Sequence, residues 1–394
     1  MSEDSFTEVT EQSWFSRIGK SITGIFFGLL LFVAAFPLLF WNEGRAVKTY
    51  KTLKEGAGAV VSVPADRVDP ANAGKLIHIT GRAVTEDTLT DPVFGLSANA
   101  LKLLRRVEMY QWEEESSSTT EKKVGGGTKT VTKYSYSKTW SDRAINSSSF
   151  RKSGYDNPGS MPYANAEQIA DRVMLGAFTL PTSLVSKIGG AQQLPVSSET
   201  PLPDELVGRA QRHDSGIYIG NNPSDPQIGD VRIHFETVPQ QEISVVAQQT
   251  GSSFTAYQTS AGGTIELLQT GTRTAEAMFQ KAQTDNKILT WILRVVGFIL
   301  MLIGLNLIFK VFSVLADVLP FLGSIVGAGT GIISFLIAGV LSLITIAVAW
   351  IVFRPILGAI LLAAAVVLIV LIGGRIKAGR AKVATPPPPP PAAA

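Results

Sequence analysis

The sequence predicts an α+β membrane protein in which four transmembrane helices carry a large β-rich extramembrane domain, inserted between helix 1 and helix 2. Three observations lead there. One apolar run, 22–41, stands near the start of the 394-residue chain, and three more crowd its last hundred or so residues. The region between, 42–287, is polar, with acidic and basic residues closely balanced. That region is also rich in Gly, Pro, Thr and Val set in short alternating runs, the pattern of strands separated by turns.

Residues 1–21 read as an N-terminal cytoplasmic or interfacial segment. The run 22–41 has no charge, and at 1.5 Å per residue it reaches across a hydrocarbon core of about 30 Å. Its Leu, Ile, Phe and Val residues, at roughly −0.3 to −0.6 kcal/mol each on an insertion scale, outweigh Pro37 and two glycines. It ends in Phe40-Trp41-Asn42 rather than in small residues, which marks a retained anchor and not a cleaved signal. Trp14, Phe15, Arg17 and Lys20 on one side and Trp41 with Arg45 on the other suit the interfacial belts.

Past the anchor, Val47, Tyr50 and Leu53 at helical spacing carry the helix out of the membrane, with Arg45, Lys48, Lys51 and Lys54 as a solvated face or, in the alternative, a stripe in contact with lipid headgroups. The domain 42–287 then reads as strands at 59–63 and 76–80, a helix over 97–106, and a hairpin about 107–140 whose tip, 115–127, is rich in Ser, Thr, Lys and Gly. A second helix is expected over 165–180, a Pro-rich connection over 197–204, and strands at 216–219, 230–237 and 243–248. Asp69-Pro70 followed by 74–79 echoes Asp225-Pro226 followed by 229–235, which raises an internal duplication that pairs His78 with His234.

Helix 275–287 leads into a second span, 288–309. From 311 to 352 Asp317 is the only charge, and the stretch is too long for one untilted span, so an interfacial helix at 310–322 and a third span at 329–352 are expected. Phe353-Arg354-Pro355 turns the chain into a fourth span, 355–372, and a basic and Pro-rich tail, 373–394, follows. Trp291, Trp350, Arg354 and Arg375 complete the interface anchors. Counted over short loops, Arg17, Lys20, Lys310 and the basic tail outnumber Arg354, which predicts cytoplasmic termini and an extracytoplasmic domain.

Chemistry is sparse. The chain has no cysteine, hence no disulfide or thiolate site, and its three histidines are not at metal-ligand spacing. Ser135 and Lys138 have a nucleophile-dyad spacing but alternate onto opposite faces of a strand. Gly327 to Gly331 lack a Walker lysine and read as close helix packing. Asn146-Ser147-Ser148 is a glycosylation sequon by pattern alone. The near neutrality of the domain excludes a nucleic-acid footprint. No catalytic, cofactor or metal residues are predicted. Asp317 and Asn306 are the candidate intramembrane polar groups, with Asp317 expected at the interface in contact with water. Glu108, Tyr110, Trp112, Tyr134, Tyr136 and Trp140 form a candidate partner or self-association surface on the hairpin.

The segments 42–46 (Asn-Glu-Gly-Arg-Ala), 74–79, 103–112 with its Val-Glu-Met-Tyr-Gln-Trp core, 134–150, Asn157-Pro158, Gly229-Asp230, Gly304-Leu305-Asn306 and Arg354-Pro355 together resemble the transmembrane protein 43 (LUMA) family. The Pro-rich tail and Cys-free composition point to a prokaryotic member. The resemblance implies four spans with the large domain on the non-cytoplasmic side. Eukaryotic relatives reside in the endoplasmic reticulum and inner nuclear membrane, self-associate, and organise that membrane with lamina-associated partners. A non-enzymatic organiser is therefore expected, with membrane lipids, further copies of itself and other membrane proteins as partners. The rival expectation is lipid handling or small-molecule transport by the C-terminal helices.

Overall fold

The computed structural model describes residues 5–197, 206, 208–356, 358 and 360. They divide into two compact units. Unit 1 holds the residues up to Ile18, Lys48–Asn286 and Val314–Gly323; unit 2 holds Gly19–Val47, Lys287–Ser313 and the described residues from Ser324 onward.

The chain opens with β1 (Ser5–Gln12) and α1 (Trp14–Ala59), a 46-residue helix about 69 Å long. Ser13 caps α1 by accepting the Ser16 N–H at 3.3 Å. Strands β2 (Val61–Ser62), β3 (Leu76–Val84), β4 (Thr88–Thr90) and β5 (Ser97–Asn99) follow, then the long hairpin of β6 (Lys102–Lys122) and β7 (Thr128–Ser141). Short strands β8 (Ala166–Ile169), β9 (Val173–Leu175) and β10 (Phe178–Leu180) precede a single turn, α2 (Thr182–Val185). Next come β11 (Gln192–Leu194), β12 (Ala210–His213), β13 (Gly216–Ile219), β14 (Val231–Val238) and β15 (Gln241–Thr250). The strands β16 (Ser253–Thr255), β17 (Tyr257–Gln258), β18 (Thr264–Ile265) and β19 (Leu267–Thr270) close the β region before α3 (Ala275–Ala316) and α4 (Pro320–Phe353).

In unit 1, one sheet runs β1-β7-β6-β14-β13-β12, with β8 on β6 and β11 on β14. The other runs β10-β9-β3-β15-β16, with β19 on β15 and β2 parallel to β3. Both send side chains into one core: Ile77, Ile79, Val245 and Ala247 from the second sheet meet Leu103, Val107, Met109, Ile233 and Phe235 from the first. The outer face of the second sheet is covered by helix. Leu53 of α1 and Met278 and Phe279 of α3 pack with Leu76, Val246 and Ile265. The two helices that carry the chain out of the apolar stretches thus become part of the domain's packing.

Several expectations need correction. The helix expected over 97–106 is β5 and the start of β6. Lys102 and Arg105 are buried among the leucines, which erases the alternation that identifies a strand. Arg105 holds Asp91 through two bonds of 2.8 and 2.9 Å, and Lys102 Nζ reaches Ser186 O at 2.5 Å. The helix expected over 165–180 is three strands; Gly176, at φ +62, makes the β9–β10 turn where a Cβ would lie 2.0 Å from Ala65 O. Residues 5–12, expected apart from the β-rich domain, extend its first sheet by pairing with β7 from Ser5↔Ser135 to Gln12↔Thr128. The hairpin is longer than read, in register from Met109↔Ser141 to Lys122↔Thr128, which leaves only 123–127 as its tip.

The two echoed segments are built alike. Gly74 N–H bonds Gln249 O at 2.9 Å and Gln249 N–H bonds Lys75 O at 3.0 Å; Gly229 N–H bonds Tyr110 O at 2.9 Å and Tyr110 N–H bonds Asp230 O at 2.8 Å. In that register His78 faces Val246, and its counterpart facing Val107 is Ile233 rather than His234. The two histidines are therefore not equivalent. His78 is fixed between Ser62 Oγ at 3.0 Å and Arg273 O at 2.8 Å.

The separate interfacial helix expected at 310–322 is absent: α3 continues through Lys310 to Ala316, the chain turns at 317–319, and Pro320 starts α4. Three helices among the described residues, α1, α3 and α4, are long and apolar enough to cross a membrane. The expected fourth span lies mostly, and the tail with Arg375 wholly, outside the described residues. In unit 2, Ala35, Leu39, Met301, Leu305 and Ala338 form a small core, while Phe26, Phe27, Leu30 and Leu343 are exposed, as lipid-facing side chains are. Gly28 and Gly304 let α1 and α3 touch backbone to backbone; a Cβ on either would lie 2.7 Å from the other's carbonyl oxygen.

Candidate functional site

The hairpin residues singled out in the sequence share one face, but the chain itself covers much of it. Tyr110 and Trp140 pair across the strands with centroids 5.1 Å apart, and Arg232, bonded to Glu108 at 2.6 Å, lies 4.6 Å over the Trp140 ring. Trp112 meets Tyr155 edge-on at 4.8 Å. Tyr136 stacks on Tyr155 at 4.0 Å and donates its hydroxyl to Glu114 at 2.5 Å. Burial first, and then that bond, push the Tyr136 phenol up to about 12. Tyr134 is flanked by Phe6 and Arg151 and donates to Glu8 at 3.1 Å. Loop side chains and β1 therefore occupy positions that a partner would need.

Asp317 is not in contact with water. It is fully buried, with Arg17 on Oδ2 and Lys122 Nζ at 2.7 Å on Oδ1. The same clasp carries Trp14 Nε1–H to Val314 O at 2.8 Å, Arg17 to Gly126 O, and Gly125 N–H to Val318 O at 3.1 Å. Three parts of unit 1 that are distant in sequence thus converge: the start of α1, the hairpin tip, and the corner between α3 and α4. Gly126 adopts φ +81 with Trp14 2.3 Å from where a Cβ would stand. Gly323 has Asp317 Oδ1 1.6 Å from its own missing Cβ. Trp14 and Arg17, read as lipid anchors, are clasp residues, whereas Lys20 is exposed.

A second cluster, in unit 2, was not foreseen. Glu43 is fully buried and receives both arms of Arg294, at 2.6 and 2.9 Å, together with Trp350 Nε1–H at 2.8 Å. The Arg294 guanidinium lies 4.7 Å from the Trp291 ring and 5.7 Å from Trp350. Asn42 Nδ2–H donates to Thr290 O at 3.0 Å, and Arg45 donates to Asn42 Oδ1 at 3.2 Å and Thr290 Oγ1 at 3.1 Å. One carboxylate thus ties α1, α3 and α4 together in an apolar setting, where a bidentate Arg–carboxylate pair is strong and directional. The available signal was Arg294 itself, a lone charge inside the run 288–309, with Glu43 the acid nearest the end of the first run. Asn306, the other intramembrane candidate, is exposed on α3. Among the described residues no group of three metal-ligating side chains comes together.

The family model described as Transmembrane protein 43 matches residues 109–355. Transmembrane protein 43 of Mus musculus is 36% identical over 367 residues, covering 90% of this chain and 90% of the relative. The chain belongs to the transmembrane protein 43 family. The Homo sapiens member is 35% identical over 366 residues with the same shares, and the Drosophila melanogaster homolog is 31% identical over 353 residues, covering 85% of this chain and 90% of the relative. No solved structure matches.

The segments that carried the family resemblance have definite structural jobs here. Glu43 and Arg45 build the helix cluster, Gly44 leaves room for the Phe353 ring, and Gly304 faces Gly28. Gln111, fully buried, holds the loop after β7 through Arg143 O at 2.8 Å and Ile145 N–H at 2.7 Å. Asn157 stands in for a neighbouring strand, accepting Trp112 N–H at 2.7 Å and donating to Trp112 O at 2.8 Å.

Proposed function

We propose that this member of the transmembrane protein 43 family is a non-enzymatic membrane scaffold that self-associates and recruits other membrane proteins. The observation that supports this best is mechanical. α1 and α3 are unbroken from their apolar stretches into the domain, and there they pack on the second sheet through Leu53, Met278 and Phe279. The domain is thus joined to apolar helical stretches at both of its ends. Glu43 and Asp317, both fully buried, are each held by neighbouring cations, a structural use of charge. In this reading the domain faces the non-cytoplasmic side, following the family resemblance.

The rival lipid-transport reading has less support, because one of its two polar groups, Asp317, is held by Arg17 and Lys122. The test is native mass spectrometry of the full chain released from nanodiscs of its own membrane. A discrete series of oligomers is the expected result; monomers alone, at every concentration tried, overturn self-association.

A further inference from the structure

Within unit 2, α3 has one side packed and one side bare. Gly297 and Gly304 lie against α1, and Met301 and Leu305 enter the small apolar core. Among residues 292–310 the exposed side chains are Ile292, Val296, Ile299, Ile303, Asn306 and Lys310, with Val295 beside them. The first six recur at alternating steps of four and three, the spacing of a seam along which one helix meets another.

Asn306 sets this stripe apart from a purely lipid-facing surface. It is the only polar side chain between Arg294 and Lys310, and its amide makes no hydrogen bond among the described residues. It stands about 6 Å along the helix from Lys310, on the side of the apolar run. Lipid tails cover isoleucines well and offer an amide nothing. An asparagine carries both a donor and an acceptor, so a second asparagine at the same depth is its complement. Copies inserted in one membrane with one orientation hold Asn306 at one depth.

We propose that a second copy of this chain packs along this stripe of α3, about a two-fold axis parallel to the helices, with Asn306 hydrogen-bonded to the partner's Asn306. Lys310, one turn beyond, has a stem long enough to carry its ammonium away from the seam into the headgroups. A polar residue in an otherwise apolar, β-branched seam also fixes the register of the two helices. This inference rests on the scaffold reading and names where its self-association occurs.

The test uses the full chain in liposomes, where the absence of cysteine makes any disulfide of a single-cysteine variant a link between two copies. Ile303→Cys, one turn from Asn306, should cross-link as a dimer under mild oxidation, and Leu343→Cys, 68% exposed on α4, should not. Adding Asn306→Val to Ile303→Cys should lower the ratio of linked to unlinked chain about threefold to thirtyfold, the range for one hydrogen bond between membrane helices. Asn306→Gln in its place keeps donor and acceptor and should retain most of the link. Equal linking of Ile303→Cys and Leu343→Cys, or a linked fraction that Asn306→Val leaves unchanged, overturns the pairing. If Ile303→Cys stays unlinked while native mass spectrometry still counts oligomers, the α3 seam is wrong and the scaffold reading stands. Monomers by both methods overturn both.

Discussion

Replacing Arg294 by Met tests whether the Glu43 cluster holds the helices together. The substitution keeps much of the apolar stem and removes the paired cation, leaving a fully buried carboxylate with the Trp350 N–H and, without a direct bond, the neighbouring charge of Arg45. Breaking a buried ion pair from one side costs about 3–5 kcal/mol, because the remaining charge has lost both its partner and its water. With a tenfold change for every 1.4 kcal/mol, that is roughly two to four orders of magnitude in the folded ratio. Arg294 is 14% exposed, so solvent screening takes little from this figure. Glu43→Gln with Arg294→Met removes both charges, and most of the loss should return. The assay is thermal unfolding in nanodiscs, run as a double-mutant cycle. A coupling under about 0.5 kcal/mol would refute the reasoning and place the pair among interactions that merely accompany packing.

Gly304→Leu puts a side chain where Gly28 O and Phe32 N stand 2.7 Å away, so α1 and α3 must separate; loss of about 1–3 kcal/mol is expected, and unchanged unfolding would show that the helices do not meet there. The Tyr136 phenol ionises only at about 12 in the fold, against about 10 when unfolded. The fold favours its protonated form, so this contribution is complete below pH 10 and fades as pH rises through 12. Tyr136→Phe should flatten that alkaline slope in a denaturation series, and an unaltered slope would remove the cause. The absence of cysteine makes every introduced thiol unique. Thr10→Cys with Thr130→Cys, or Val9→Cys with Val131→Cys, should form a disulfide under mild oxidation in at least one register pair, and failure of both denies the β1–β7 ladder.

Apolar length and helical spacing made the membrane stretches and the outward run of α1 through Leu53 readable, because a hydrocarbon core and a covering helix each impose a period on the side chains. The hairpin was readable for the same reason, through its aromatic and β-branched residues. Where a strand is buried on both faces the period vanishes, and Lys102 and Arg105 in the interior of β6 produced a false helix. β1 offers the opposite difficulty. SFTEVTEQ is polar enough for a tail and becomes a strand only because β7 presents a free edge 116 residues and more away. Both charge clusters escaped notice because the lone charges Asp317 and Arg294 stand out in the sequence while their partners, far away along the chain, do not. Arg17 resembled a headgroup anchor and Asp317 a solvated corner until 300 residues of chain brought them together.

That separation in sequence bears on how the molecule is made. A ribosome adding about 5–20 residues per second reaches Asp317 roughly 15–60 seconds after it has added Arg17. Throughout that interval β1 and the hairpin tip, including Lys122, exist without the carboxylate that joins them. Whatever handles the nascent chain meets an N-terminal strand and a positively charged tip waiting for their partner, and biogenesis is complete only when the α3–α4 corner arrives.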